Sequence, residues 1–345
     1  MQEFFTESNQ KLALFNEFLS SPKQIVITTH QNPDADALGS SLGLSAYLKK
    51  KGHNPVIITP TDYPDFLRWM SGESEVINFE SDRQGLAKEL IANADIIFCL
   101  DFSALNRIKG MEELVKQSAA KKVLIDHHQQ PENFADFVFW NENAAATCEL
   151  IYELIEKLGD KDLIDIPAAE CLYAGLVTDT GSFRFDSTSK EVHRIAGELI
   201  SIGIHPNKIH RKIFDSNTFD RMKFLGFVLG EKLTYLPEYN VAYMAISKEE
   251  LSRFSSKNGD TEGVVNYGLS IKGVVMAAIF TEKDDMIRIS FRSVDDFSVS
   301  EFSRTHFNGG GHKNAAGGRS HESLEKTVEK FLALLPKYQE QLNTI

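Results

Sequence analysis

The chain has 345 residues, 42% of them apolar and 25% charged, which is the make-up of a water-soluble globular protein and room for two domains rather than one. Its 37 Lys and Arg against 49 Asp and Glu leave a formal net charge of -12, which argues against broad adhesion to duplex DNA or an anionic membrane, since such binding neutralises many phosphates at once. A small anionic ligand held by metal ions or a few placed cations is compatible with that charge. No stretch approaches the ~18 consecutive apolar residues of a membrane helix. The opening MQEFFTESNQ is polar and acidic, unlike a secretory signal, so a cytoplasmic location is expected. Cys99, Cys148 and Cys171 are odd in number and widely spaced, and read as small apolar residues rather than as a disulfide framework or zinc ribbon.

In chain order, Lys23 to His30 is a β-branched, nearly continuous apolar run, the pattern of a strand buried on both faces of a parallel sheet. Asn32-Pro33-Asp34-Ala35-Asp36-Ala37 reads as a turn into a helix from about Leu38 to Lys51, stopped by Gly52. Pro55 to Thr59, Asp95 to Asp101 and Lys121 to Asp126 are further strands, the last two preceded by helical stretches. Strands alternating with helices predict an α/β fold whose parallel sheet is covered on both faces. Helices are expected over 146–158, 167–178 and 189–202. Beyond Leu233 the texture changes to longer strands at Asn240–Ser247, Gly273–Thr281 and Met286–Arg292, with Asp284-Asp285 as a hairpin turn. A helix follows at 298–306, and an amphipathic terminal helix runs from about Ser323 to Leu342. The expected organisation is a first domain over 1–190, a helical linker over 191–232, and a smaller α+β domain over 233–345.

Chemistry-bearing residues gather at the expected strand ends. His30, Asp34 and Asp36 follow the first strand, Asp101 ends another, Asp126-His127-His128 end a third, and Asp179 lies beyond a helix in Val177-Thr178-Asp179-Thr180-Gly181. The carboxyl ends of parallel strands line one crevice, so these distant residues converge there. Each has an ordinary reading: Asp34 as a helix N-cap, Asp101 as a strand-end turn residue, Asp179 as a cap before Gly181. Together they put so many like charges in one crevice that bound cations are expected between them. Carboxylate with imidazole and no thiol suits Mn(II), Mg(II) or Fe(II) better than structural zinc. The run Gly309-Gly310-Gly311-His312 is either a mobile loop or a place where backbone N–H groups approach an anion. Arg292, ending an expected strand, is either a solvated charge or a bidentate phosphate ligand.

His30-Gln31-Asn32-Pro33-Asp34-Ala35-Asp36-Ala37-Leu38-Gly39-Ser40, then Asp101, then Asp126-His127-His128, then Thr178-Asp179-Thr180-Gly181 resemble, in order, the four motifs of the DHH phosphoesterase family. Phe307 to Gly318 is similar to the glycine-rich signature of the small DHH-associated domain. The arrangement most resembles the nanoRNase/pAp phosphatase branch. That resemblance implies a two-metal site, with Mn(II) foremost, in a cleft between the two domains. His30, Asp34, Asp101 and Asp179 would hold one ion, and Asp36, Asp101, His127 and Asp179 the other. Asp126 would orient a ligand imidazole and His128 would face the scissile phosphate. Arg292, Gly309, Gly310, Gly311 and His312 would hold the substrate.

The expected function is hydrolysis of short single-stranded oligoribonucleotides (nanoRNA) to mononucleotides, and of adenosine 3′,5′-bisphosphate (pAp) to AMP. Two divalent ions would activate water, clamp the phosphoryl oxygens and stabilise the leaving oxygen, with no protein nucleophile. Alternatives are a cyclic or linear dinucleotide phosphodiesterase, an exopolyphosphatase, and a nucleotide-binding sensor whose metal site is idle. Neither a membrane partner nor stable duplex DNA binding is expected.

Overall fold

The computed structural model describes residues 8–257 and 259–343, and the chain divides into two compact units, Met1–Ser216 and Asn217–Ile345. The first seven residues of the polar opening stretch lie outside the described residues.

In the first unit, β1 (Gln24–Thr29), β2 (Asn54–Thr59), β3 (Ile77–Asn78), β4 (Ile96–Leu100), β5 (Lys121–Asp126) and β6 (Phe137–Trp140) form one sheet in the order β3-β2-β1-β4-β5-β6. Every neighbouring pair is parallel. Its helices are α1 (Ser8–Phe18), α2 (Ala35–Lys50), α3 (Leu86–Asn93), α4 (Glu112–Gln117), α5 (Thr147–Lys157), α6 (Ile166–Asp179), α7 (Lys190–Ile202) and α8 (Pro206–Phe214). The strands read as continuous apolar runs because both sheet faces are covered. Ile25, Ile27, Ile57, Phe98, Val123 and Ile125 share a core with α2, α5, α6 and α7. Val26, Ile58, Ile97, Cys99 and Leu124 share one with α3 and α4 on the other face. Each fully buried aliphatic side chain contributes about 1.5–3 kcal/mol. The three cysteines are free and buried, as small apolar residues.

Helices α2 and α6 touch at the backbone. A Cβ on Gly39 would lie 2.4 Å from the Cys171 carbonyl oxygen, and one on Gly43 2.7 Å from Leu172. This approach brings the first turn of α2, with Asp34 and Asp36, against α6 and its terminal Asp179.

The stretch 191–232, expected as a linker, is divided between the units. Helix α7 has the apolar spacing of a core-facing helix and buries Val192, Ile195 and Leu199, and α8 buries Ile209 and Ile213, all in the first core. The next helix, α9 (Phe219–Phe227), buries Phe224 and Phe227 in the second unit.

The second unit has a mixed sheet of β7 (Thr234–Leu236), β8 (Val241–Ile246), β9 (Met276–Glu282), β10 (Ile287–Ser293), β11 (Gly310–His312) and β12 (Ala315–Ser320), in the order β11-β12-β10-β9-β8-β7. Only β8 and β9 pair in parallel. Helices α9, α10 (Lys248–Arg253) and α11 (Val264–Leu269) cover one face. The other face carries α12 (Val299–His306) and α13 (Leu324–Leu342), whose Phe302, Phe331 and Leu335 pack on Phe280 and Phe291. The expected turn at Asp284-Asp285 closes the β9–β10 hairpin, with the Lys283 N–H donating to the Met286 carbonyl at 2.8 Å. Among the described residues no helix is long and apolar enough to cross a membrane.

Candidate active site

The strand order reverses direction between β1 and β4, and in an open parallel sheet the crevice outside the carboxyl ends at such a point is where ligands bind. His30 leaves β1 at this point, Asp101 leaves β4, and Asp126-His127-His128 leave β5 beside it. Asp101 has φ of 63°, a left-handed conformation that an aspartate holds only when its surroundings impose it. Its own N–H donates to the Ile125 carbonyl at 3.0 Å, anchoring it to the neighbouring strand.

The two oxygens of Asp101 face two different groups. Oδ2 is 3.3 Å from His30 Nε2, which is itself 3.7 Å from Asp34 Oδ2. Oδ1 is 3.4 Å from His127 Nε2, which is also 3.7 Å from Asp36 Oδ2 and 3.5 Å from Asp179 Oδ2. His30, Asp34 and Asp101 thus form one group able to hold a cation, and Asp36, Asp101 and His127 a second, with Asp179 beside it. Asp34 serves in both of its readings. Its Oδ1 accepts from the N–H groups of Asp36 and Ala37 as the N-cap of α2, while Oδ2 faces His30.

The imidazole tautomers identify what belongs between these groups. His30 Nδ1 lies 2.9 Å from the Gln31 carbonyl and His127 Nδ1 lies 3.1 Å from that of Ala144, so each Nδ1 carries the proton. A neutral ring then aims its Nε2 lone pair at carboxylate oxygens, and lone pair facing lone pair makes a place for a proton or a shared cation. The spacing agrees, because ligands about 2.0–2.2 Å from a small divalent ion sit roughly 3.0–3.5 Å from one another around it.

Electrostatics point the same way. Burial, then the Asp101 charge, pushes Asp36 up to about 7, and burial with Asp36 and Asp34 pushes Asp179 well above the carboxylate range. Burial works to lower His30, but Asp101 and Asp34 prevail and hold it at about 10. Burial raises Asp101, yet its contacts to His127 and His30 outweigh this and hold it well below the usual range. Among the described residues no Lys or Arg pairs with these carboxylates; the four negative charges of Asp34, Asp36, Asp101 and Asp179 match two divalent cations. The nearby Cys148 thiol is held well above its ordinary value by burial and by Asp36.

The imidazole beside Asp126 is that of His128: Oδ1 of Asp126 is 2.8 Å from His128 Nδ1 and accepts the His128 N–H at 3.1 Å. The short loop after β5 folds the His128 ring back over the strand end, whereas His127 is turned by the Ala144 carbonyl. His128 is the more open of the two, its side chain 19% exposed against 3% for His127.

Several contributors went unrecognised in the sequence. The N–H groups of Thr147 and Cys148, at the start of α5, donate to the Asp36 carboxylate at 2.6 and 2.9 Å. The Thr147 hydroxyl donates to Asp101 Oδ1 at 3.0 Å, and Trp140 Nε1 donates to the His128 carbonyl at 2.7 Å. The signal was the apolar run Phe137 to Trp140, a sixth strand followed by Asn143-Ala144-Ala145-Ala146-Thr147, small residues that let the chain pass close to the carboxylates.

Residues 24–176 match the DHH family, N-terminal domain, and residues 238–341 match the DHHA1 domain. An exopolyphosphatase-related protein from Bacteroides fragilis superposes with a TM-score of 0.92 at 38% identity, over 97% of this chain and 98% of that one. The chain belongs to the DHH family. A bifunctional oligoribonuclease and PAP phosphatase, NrnA of Bacillus subtilis, is 29% identical over 295 residues, 85% of this chain and 88% of that protein. RecJ of Thermus thermophilus, solved in complex with Mn2+, shares the fold at a TM-score of 0.54 and 15% identity, over 96% of this chain and 54% of that one. This DHH chain is accordingly a phosphoesterase, a hydrolase.

In the DHHA1 domain the structure brings the other expected residues together. The glycine run is no free loop, since Gly310–His312 is strand β11, paired to β12. His312 lies opposite Ala315, which lies opposite Arg292, so Arg292 and His312 share a row and a sheet face two strands apart. Gly309 and Gly311 are glycines of necessity. A Cβ would sit 1.9 Å from the Gly317 carbonyl oxygen at the first and 2.5 Å from that of Ala315 at the second, where φ is 146°.

Proposed function

We propose that this DHH phosphoesterase hydrolyses very short single-stranded oligoribonucleotides to mononucleotides and pAp to AMP, with two divalent ions, Mn(II) foremost. The reaction class rests on one observation: the two oxygens of Asp101 face two separate His/Asp groups. The substrate class is supported by likeness to the Bacillus oligoribonuclease and PAP phosphatase across most of both chains. His30, Asp34 and Asp101 would hold one ion and Asp36, Asp101 and His127 the other, with Asp179 shared between them as the sequence resemblance implies. When bound, such a pair supplies Lewis acidity, lowering the pKa of a water and neutralising the phosphoryl oxygens. Thr147 and the α5 N-terminus fix Asp101 and Asp36. Asp126 fixes His128, whose partly exposed ring faces the phosphate, and Arg292 with the Gly309–His312 strand holds a non-reacting part of the substrate.

The test is a rate comparison in Mn(II) over dinucleotide, five-mer, 20-mer, cyclic dinucleotide, pAp and inorganic polyphosphate. The dinucleotide, five-mer and pAp should turn over fastest, and chelator should abolish every activity until Mn(II) is restored. Polyphosphate or the cyclic dinucleotide as the best substrate overturns the substrate assignment, and full activity without metal overturns the mechanism.

A further inference from the structure

The DHHA1 sheet carries two features that its fold does not explain. Arg288 on β10 lies directly opposite Arg319 on β12, both exposed. Like charges opposed across an antiparallel pair are destabilising. Among the described residues neither guanidinium forms an ion pair, although the β9–β10 turn next to them is acidic. Asp284 of that turn is engaged instead by Lys248. The positive field is felt locally, for burial and then Arg288 hold the Lys283 ammonium below its usual value.

The second feature is Gly317, in the middle of β12 with strands on both sides. A Cβ there would meet nothing nearer than the Ile289 carbonyl oxygen at 3.9 Å, and its φ is not left-handed, so neither packing nor backbone demands glycine. An interior strand glycine weakens a sheet by up to ~1 kcal/mol and often marks close approach of a ligand to the backbone. Gly317 pairs with Ser290, and Ala315 pairs with Arg292. Alternation puts Arg288, Arg319, Ser290, Gly317, Ala315 and Arg292 on one face, since Ile289 and Phe291 between them point into the core. The result is a nearly bare strip of backbone with Arg292 at one end and the Arg288–Arg319 pair at the other, their rows about 14 Å apart.

We propose that Arg288 and Arg319 are a distal phosphate subsite for oligoribonucleotides of three or more nucleotides, whose backbone lies along the strip. This rests on the reading of Arg292 as a substrate anchor. The two phosphates of pAp are separated by one ribose alone and do not span the two ends. A longer chain does, so the pair grades substrates by length. A guanidinium fork on each side of one phosphate also resolves the like-charge opposition.

The experiment compares the full chain with its Arg288→Gln/Arg319→Gln variant, using 5′-labelled dinucleotide and pentanucleotide. KM is measured in Mn(II), and anisotropy-detected binding is measured in chelator at two salt concentrations. In the wild type the pentamer should bind about tenfold more tightly than the dinucleotide, and in the variant that gain should shrink to less than about twofold. The salt slope for the pentamer should become shallower by about 0.7, the value expected when one phosphate fewer is neutralised along a single strand. Removing two opposed charges should leave Tm unchanged or raised, which separates the effect from misfolding. An unchanged pentamer gain in the variant overturns the subsite, and so does a variant that loses affinity for inorganic polyphosphate alone. A wild-type chain that cleaves no oligonucleotide at all overturns the proposed function instead, and the binding ratio still decides the subsite.

Discussion

Among the described residues Asp101 stands apart: a left-handed backbone and a bond to β5 hold its two oxygens toward two imidazoles. The sequence marked Asp101 as a strand-end carboxylate, and the residues that aim it were invisible because their contribution is a backbone N–H or a single hydroxyl. Thr147 is the clearest of these. Thr147→Val keeps the shape and the N–H to Asp36 but removes the hydroxyl bond to Asp101, and should lower kcat or Mn(II) affinity about 10–100-fold with little loss of stability. Comparing kcat and the Mn(II) activation curve of the two proteins checks this. Glu149, two residues on, is buried and pushed up to about 7 by desolvation, a shift only partly offset by the Ala145 N–H. Between pH about 4.5 and 7 the unfolded chain has lost this proton while the native one retains it, so stability falls as pH rises through that window. Glu149→Gln should remove that loss, gaining on the order of 2–3 kcal/mol over wild type at pH 8 and little at pH 4.5, as urea melts at the two pH values will register.

Among the elements, the contact of α2 with α6 sets how far Asp36 stands from Asp179. A Cβ on Gly175 would lie 2.3 Å from Cys148 Sγ and 2.7 Å from Asp36 Oδ1. Gly175→Ala should therefore cost about 1–3 kcal/mol by overpacking and weaken Mn(II) binding as well. Gly197→Ala on α7, where a Cβ meets nothing within 4 Å, should instead stabilise by about 0.5–1 kcal/mol and leave Mn(II) binding alone. Thermal melts with and without Mn(II) test both. The main strands and helices were legible because their apolar runs and 3.6-residue periods are long. The failures were short or shared: β6 has four residues, and α7 to α9 looked like a linker because each buries one narrow stripe. The glycine run reads locally as chemistry or mobility, while its strand pairing depends on Ala315 and Ala316 across the sheet, which no local pattern reveals.

For the whole molecule, a net charge of -12 is compatible with a phosphoester substrate because the buried carboxylates lie in His/Asp groups able to hold cations. Binding strength should accordingly depend weakly on salt for a dinucleotide, and a duplex should compete poorly at physiological ionic strength. Arg292→Ala should raise KM for pAp and dinucleotide more than for a minimal chromogenic phosphodiester, which carries no second nucleotide or phosphate to be held, and kcat for that minimal ester should hold. The two His/Asp groups that meet at Asp101 should each take one divalent ion, and the number of bound ions can be counted. Titrating metal-free wild type and Asp101→Ala with Mn(II), with bound ions counted by electron paramagnetic resonance and turnover followed in parallel, should give two ions per chain in the wild type. In the variant, occupancy should fall and kcat should drop by several orders of magnitude. A wild-type chain that reaches full turnover with one ion or none, or an Asp101→Ala chain that binds two ions and turns over normally, would overturn the two-ion site.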